Sequence, residues 1–390
     1  MSVLVAGYAR TPYTKMNGAL ASQTAMQLGA AAIRQALANA GVSADQVQHV
    51  IGGQVIQTGC GQNPARQSAV AAGIGNDVPA ITVNSVCLSG SDATIWATQL
   101  IELGQADVVV VVGQESMSNA PHALKGSRQG HKYGAATMID TLEIDGLTDA
   151  FSHESMGLAT QKVTDALGLT RIEQDAFAVT SHQRAAASRA WVAGEIAPIT
   201  ISSRSGETVV AEDDGIRADI SLESVGALRP AFTKDGTITA ANSSPLTDGA
   251  AALVLVSDSF AAANGLKPLA EVVSYAKVAG PDYSLNLQPA NAIRAALKRA
   301  NLQVADLNQI EINEAFAAVG VSSTKDLGID PSRVNVDGGA IAIGHPIGSS
   351  GARIVGHLAR NLQREGAGSI GAVGICGGGG QGVSVVLRAV

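Results

Sequence analysis

Two cysteines and a histidine, set at a helix start or among glycines, are the residues of this chain best placed for covalent chemistry. Cys87 lies in Asn84-Ser85-Val86-Cys87-Leu88-Ser89-Gly90, where strand-like Ala80 to Val83 gives way to a helical pattern. A thiol there faces unpaired helix N–H groups and the positive end of the dipole, which lower its pKa and favour thiolate. The strand-to-helix elbow also lifts the side chain into reach. Taken alone, the more ordinary role is that of a small buried core cysteine. His345 lies in Asp337-Gly338-Gly339-Ala340-Ile341-Ala342-Ile343-Gly344-His345-Pro346-Ile347-Gly348, a glycine-rich loop before a helix. A lone loop histidine is usually structural, but one set opposite a helix-start cysteine is a general-base candidate.

Cys376 opens Cys376-Gly377-Gly378-Gly379-Gly380-Gln381-Gly382, directly after a strand. The tetraglycine lets backbone approach another group closely and present N–H donors to a developing anion. Residues 377 to 382 also satisfy G-x-G-x-x-G, but the dinucleotide fingerprint needs a helix next. Here Val383-Ser384-Val385-Val386-Leu387 reads as a strand, so the nucleotide reading fails. Asn313-Glu314-Ala315-Phe316 ends the strand Ile310 to Ile312, and its ordinary reading is a turn with a helix cap. No cysteines stand at C-x₂-C spacing and no two histidines at i, i+4, so no metal site is expected. P-loop and G-x-S-x-G patterns are absent as well.

The elements that must position these residues belong to a chain of 390 residues, enough for two or three domains at roughly 150 residues each. Hydrophobic residues make up 46 % and charged residues 15 %, which excludes a disordered chain. The longest apolar runs, Val108 to Val112 and Ala250 to Val256, are strand-sized, so no membrane span is expected. Met1 to Gly7 has no basic start and reads as strand, so no signal peptide is expected. A net charge of −7 argues against nucleic acid as a partner. Three scattered cysteines suit a reducing compartment, and a cytoplasmic location is expected. Scarce charge leaves little to cover a surface, which implies burial against other subunits.

The sequence is internally duplicated. Ala30 to Ala40 (AAAIRQALANA) aligns without gaps to Ala290 to Ala300 (ANAIRAALKRA) at a shift of 260, with 7 of 11 positions identical. Val42, Val47 and Val50 pair with Leu302, Leu307 and Ile310, and Ser89-Gly90 matches Ser350-Gly351 at a shift of 261. Counting back from His345 by that shift reaches Asn84, so Cys87 and His345 are expected at equivalent corners around a pseudo-twofold axis. Each half alternates strands and helices, the pattern of a layered α/β fold. Residues 114 to 245 break the pattern and read as a large insertion.

The motifs NSVCLSG, NEAF, GGAIAIGHPIGSSGAR and CGGGGQG, in this order on a duplicated core, resemble the thiolase family over nearly the whole chain. Within it, Val112 to Pro121 and Ile139 to Phe151 look most like acetyl-CoA acetyltransferases. The resemblance implies a thiolase-like α/β fold: two duplicated βαβαββ-type halves forming a layered α/β/α/β/α core with an inserted loop domain. Its expected domains are 1–116 plus 246–266, the insert 117–245 for CoA binding and oligomer contact, and 267–390. The implied reaction joins two acetyl-CoA into acetoacetyl-CoA plus CoA, or runs the reverse thiolysis, by ping-pong through an acyl-cysteine. The runner-up is 3-ketoacyl-CoA thiolysis of longer chains. A non-catalytic carrier would be expected to lack one of Cys87, Asn313, His345 and Cys376, and all four are present.

By resemblance Cys87 is the nucleophile, His345 its activator and Cys376 the acid/base for the α-proton. Asn313 holds a water that completes one oxyanion hole with His345; backbone N–H groups of Cys87 and Gly378 form the other. Arg217 stands beside the adenine nucleotide, Ser224 nearby, Ser244 on the pantetheine arm, and Met156 also binds CoA. The family's His-Met-Gly reads Ser155-Met156-Gly157 here, and a pocket methionine becomes Leu285. His153, two residues before Ser155, is a weak substitute for the missing histidine. No cofactor beyond the CoA thioesters is implied, and the family's dimers and tetramers make a homotetramer, a dimer of dimers, the expected assembly.

Overall fold

A computed structural model describes residues 1–204 and 206–390. The first half builds β1 (Val3–Arg10), α1 (Ala25–Ala40), β2 (His49–Gly53), α2 (Pro64–Ala71), β3 (Ala80–Val83), α3 (Ser89–Glu102) and β4 (Val108–Ser116), and closes with β5 (Thr247–Ser257). Between β4 and β5 the insert carries α4 (Met156–Ala166), α5 (Arg171–Ala187) and a hairpin, Ile199–Ser203 with Gly206–Val210. The second half builds β6 (Ala270–Ala279), α6 (Gln288–Arg299), β7 (Gln309–Ile312), α7 (Ala317–Leu327), α8 (Ile347–Glu365), β8 (Ile370–Gly377) and β9 (Gln381–Ala389).

The strands lie in the order β7-β8-β9-β6-β1-β5-β4-β2-β3. From the centre outward the first half runs β1, β5, β4, β2 and the second β6, β9, β8, β7, the same order on either side, with β3 added at the outer edge of the first half. Their sheets join where Leu4 pairs with Glu271 and Val5 with Ala270. Strand β4 is buried along its length because both faces of its sheet are covered.

The layers follow from which face each helix buries. Helix α1 puts Leu28 and Ile33 on Val110 of β4 and Val254 of β5. It starts in a capping box between Thr24 and Gln27 and stops at Gly41, whose φ is 68°. Helix α6, its counterpart, covers Ala372 and Val386 with Ile293 and Leu297. Helices α3 and α8 fill the space between the inner faces, with Ala93, Ile101, Ile354 and Leu358 among Val109 and Val373. The result is an α/β/α/β/α stack. The two middle helices cross at glycines: a Cβ on Gly90 would lie 2.5 Å from Ala352 N, and one on Gly351 2.4 Å from Ser91 N. These reciprocal contacts join the two Ser-Gly pairs that the duplication aligns. Among the described residues no helix is long and apolar enough to cross a membrane.

Candidate active site

The starts of α3 and α8 meet the ends of β7 and β8 at one corner of the molecule, and the four chemically interesting motifs meet there. Val86, ahead of Cys87, takes a left-handed φ of 54°, a costly conformation for a β-branched residue. Ser89 steadies the turn: its Oγ donates to Val86 O at 2.6 Å and accepts from Ser85 N–H at 3.0 Å. Cys87 is half-buried and lines a cavity of about 300 Å³ with His345, Met156, Ser244, Leu285 and Phe316.

Burial pushes the Cys87 thiol up to about 12, and the buried Glu115 adds to this. The expected drop toward thiolate is therefore corrected. Backbone N–H groups of Cys87 and Gly378 do act on the sulfur in the lowering direction, but desolvation outweighs them. Cys87 therefore rests as a thiol, which a base would have to deprotonate before it could react. Cys376 is fully buried at the end of β8, and desolvation together with Cys87 holds its thiol well above the usual range.

His345, which lines the same cavity, is the candidate base. Its Nδ1 lies 2.6 Å from Ser350 Oγ, and Asn313 Nδ2 lies 3.5 Å from its Nε2. Ser350 Oγ donates to Pro346 O at 3.2 Å, so its oxygen accepts the Nδ1 proton and leaves the lone pair on Nε2, facing the Asn313 amide N–H. Thr247 Oγ1 accepts from His345 N–H at 3.2 Å and fixes the loop. Burial, helped by Arg353, drives His345 down to about 3, which keeps it neutral. Among the described residues, Asn313 Oδ1 is buried without a hydrogen-bond partner, an open acceptor beside the histidine. The Gly377-to-Gly382 run is a β8–β9 hairpin, with Gly379 and Gly380 at φ 77° and 68°.

Ser244 and Met156 line the cavity, as do Leu285 and Ser155. Ser155 also caps α4 by accepting from Leu158 N–H at 3.3 Å. Arg217 and Ser224 stand outside the cavity lining, on the exposed face of the insert. Exposed His153 is not among the lining residues either.

Three contributors went unread in the sequence. Glu115, at the end of β4, accepts from the N–H groups of Val55 (3.1 Å), Ile56 (3.1 Å) and Gly348 (2.9 Å), tying three segments under the site. Burial pushes its carboxyl up to about 8. Ser350 orients His345. Phe232 lies edge-on to Phe316, with centroids 6.1 Å apart, and closes one wall. The only signal for Glu115 was a charged residue ending an apolar strand; Ser350 and Phe232 gave none.

The thiolase N-terminal domain model matches residues 3–259 and the thiolase C-terminal domain model residues 266–389. A probable acetyl-CoA acetyltransferase of Mycolicibacterium smegmatis is 53 % identical over 391 residues, spanning 99 % of this chain and 100 % of its own. The acetyl-CoA acetyltransferase of Cupriavidus necator is 45 % identical, with 99 % of each covered. The crystal structure of the Bacillus anthracis acetyl-CoA acetyltransferase superposes with a TM-score of 0.96 at 37 % identity, covering 100 % of this chain and 99 % of that one. With both domain models matched and relatives aligned from end to end, the chain belongs to the thiolase family.

Proposed function

We propose that the protein is an acetyl-CoA acetyltransferase, converting two acetyl-CoA to acetoacetyl-CoA and CoA and catalysing the reverse thiolysis. The observation that carries this reading is the convergence of a half-buried Cys87, a neutral His345 with its lone pair on Nε2, and a fully buried Cys376. Relatives bearing that name over their full length support it. Cys87 sulfur attacks the thioester carbon of acetyl-CoA as His345 Nε2 takes its proton. The leaving CoA thiolate takes the proton of Cys376, giving acetyl-Cys87, an imidazolium and a Cys376 thiolate. That thiolate removes the α-proton of a second acetyl-CoA, and the enolate attacks the acetyl carbon. Cys87 leaves and recovers its proton from His345, so the cycle closes in proton count.

Because burial disfavours each charge, the transfers must coincide with charge capture by aimed donors. The N–H groups of Cys87 and Gly378 serve the acyl carbonyl. His345 and Asn313, through a water, serve the enolate oxygen. No cofactor beyond the CoA thioesters is required by this scheme. Met156, Leu285 and Phe316 crowd the space beside Cys376, which supports a short acyl group over a long chain. Ser244 and Met156 take the pantetheine arm, and Arg217 with Ser224 the nucleotide, on the surface of the insert, residues 117–245.

The assembly we propose is a homotetramer in the cytoplasm. Edge strand β3 exposes Ile81 at 48 %, beside Trp96 at 45 % and Leu103 at 72 %, an apolar edge that a second copy can cover. Insert residues Tyr133 and Met138 are exposed and offer the contact between dimers. Light scattering tests the assembly: a monomer would contradict it. For the reaction, intact-protein mass after acetyl-CoA should show one added acetyl group, lost in Cys87→Ala. An adduct retained by that variant would mean a different nucleophile.

A further inference from the structure

Helix α5, in the insert, touches both the loop leading to His345 and the loop of Arg217. Its buried face carries Ala178, Ser181, His182 and Ala185 at helical spacing. Ser181 Oγ donates to Glu314 Oε2 at 2.6 Å and accepts from Gly339 N–H at 3.0 Å. Glu314, next to Asn313, also accepts from Ile341 N–H at 3.0 Å and from Asn335 Nδ2 at 2.7 Å. The loop leading to His345 is thus pinned to the segment bearing Asn313 through one carboxylate and one hydroxyl. Two glycines make the approach possible. A Cβ on Gly338, whose φ is 81°, would lie 2.4 Å from Ser181 O, and one on Gly339 2.3 Å from Glu314 Cδ.

The next residue faces the other loop. His182 Nδ1 accepts from Arg217 N–H at 3.1 Å, and its Nε2 lies 3.3 Å from the Arg217 guanidinium. His182 is 1 % exposed, so this acceptor has no solvent to replace it. Burial, then Arg217, holds His182 down to about 4, so the ring stays neutral and Nδ1 stays an acceptor at neutral pH.

We infer that Ser181 and His182 are positioning residues that hold the catalytic loop and the nucleotide-binding loop in register through one rigid helix. Ser181 serves the chemical step, by way of Glu314 and Gly339. His182 serves recognition of the polyanionic end of CoA, by way of Arg217. The second half rests on the reading of Arg217 as a CoA contact.

The test is steady-state thiolysis with two substrates, acetoacetyl-CoA and the acetoacetyl thioester of pantetheine, which lacks the nucleotide. Ser181→Ala should lower kcat about tenfold with both, with KM changed less than about twofold. His182→Leu should raise KM about tenfold for acetoacetyl-CoA and far less for the pantetheine thioester. His182→Asn, which keeps an acceptor near Nδ1, should recover most of that loss. A KM rise specific to CoA in Ser181→Ala, equal losses on both substrates in His182→Leu, or no recovery in His182→Asn would overturn the inference. Arg217→Ala separates the underlying reading. If it shows no loss specific to CoA, the role of Arg217 falls and that of His182 with it, while Ser181→Ala still decides the catalytic half.

Discussion

Ser350 does not line the cavity, yet it should govern the chemical step through His345. Its Oγ lies 2.6 Å from Nδ1 and donates to Pro346 O, an arrangement that places the imidazole proton on Nδ1 and the lone pair on Nε2. In Ser350→Ala the Nδ1–H is left buried without a partner, a cost of about 1–3 kcal/mol. The ring can escape it only by moving the proton to Nε2, which removes the base that Cys87 needs. Since the thiol sits at about 12, it cannot substitute by ionising unaided near neutral pH. The bond from Nδ1–H to Ser350 strengthens as the ring takes the Cys87 proton and becomes cationic, so its loss falls on the chemical step and not on binding, and kcat should fall about 10- to 100-fold. KM should stay within about threefold, because Ser350 is absent from the cavity wall. The assay is single-turnover formation of acetyl-Cys87, followed by steady-state thiolysis on the same preparation. Unchanged acetylation, or a KM rise at constant kcat, would refute the orienting role.

Cys376→Ser should reduce condensation by at least about 10²-fold, the usual worth of an acid/base, while Cys87 still reacts with iodoacetamide; parallel loss of both would contradict the division of labour. For the free enzyme, alkylation of Cys87 should accelerate about tenfold per pH unit between pH 7 and 10, since only the thiolate reacts and its fraction grows until the thiol titrates near 12. A plateau near pH 7 would show a preformed thiolate and restore the helix-dipole expectation. Gly338→Ala should destabilise by about 2 kcal/mol or more, because it adds a Cβ at positive φ, 2.4 Å from a helix carbonyl. An unchanged denaturation midpoint would count against the close packing of α5 on the loop.

The fold was legible where a physical pattern repeats. The aligned AAAIRQALANA and ANAIRAALKRA helices and the all-apolar Val108 to Val112 require a duplicated sheet covered on both faces, and they occupy α1, α6 and β4. The Ser-Gly pairs were legible as equivalents because close helix crossing demands glycine on both partners. Cys87, His345, Cys376 and Asn313 could be read as reactive types at turns, and they meet at one corner. Their protonation states could not be read, because the helix N-terminus is local in sequence whereas the desolvation that defeats it comes from distant layers. Glu115, Ser350 and the Ser181–His182 pair escaped for the same reason. Each acts through hydrogen bonds to segments remote in sequence, and serine or glutamate leaves no periodic mark.

Acetyl transfer at Cys87 on short-chain substrates is what the site is built for in this scheme. The most direct test is CoA-dependent thiolysis by the purified protein, comparing kcat/KM for acetoacetyl-CoA with that for a long-chain 3-ketoacyl-CoA. A strong preference for acetoacetyl-CoA is expected, since Met156, Leu285 and Phe316 close the space beside Cys376. A preference for the long chain, or no thiolysis of either, would contradict it.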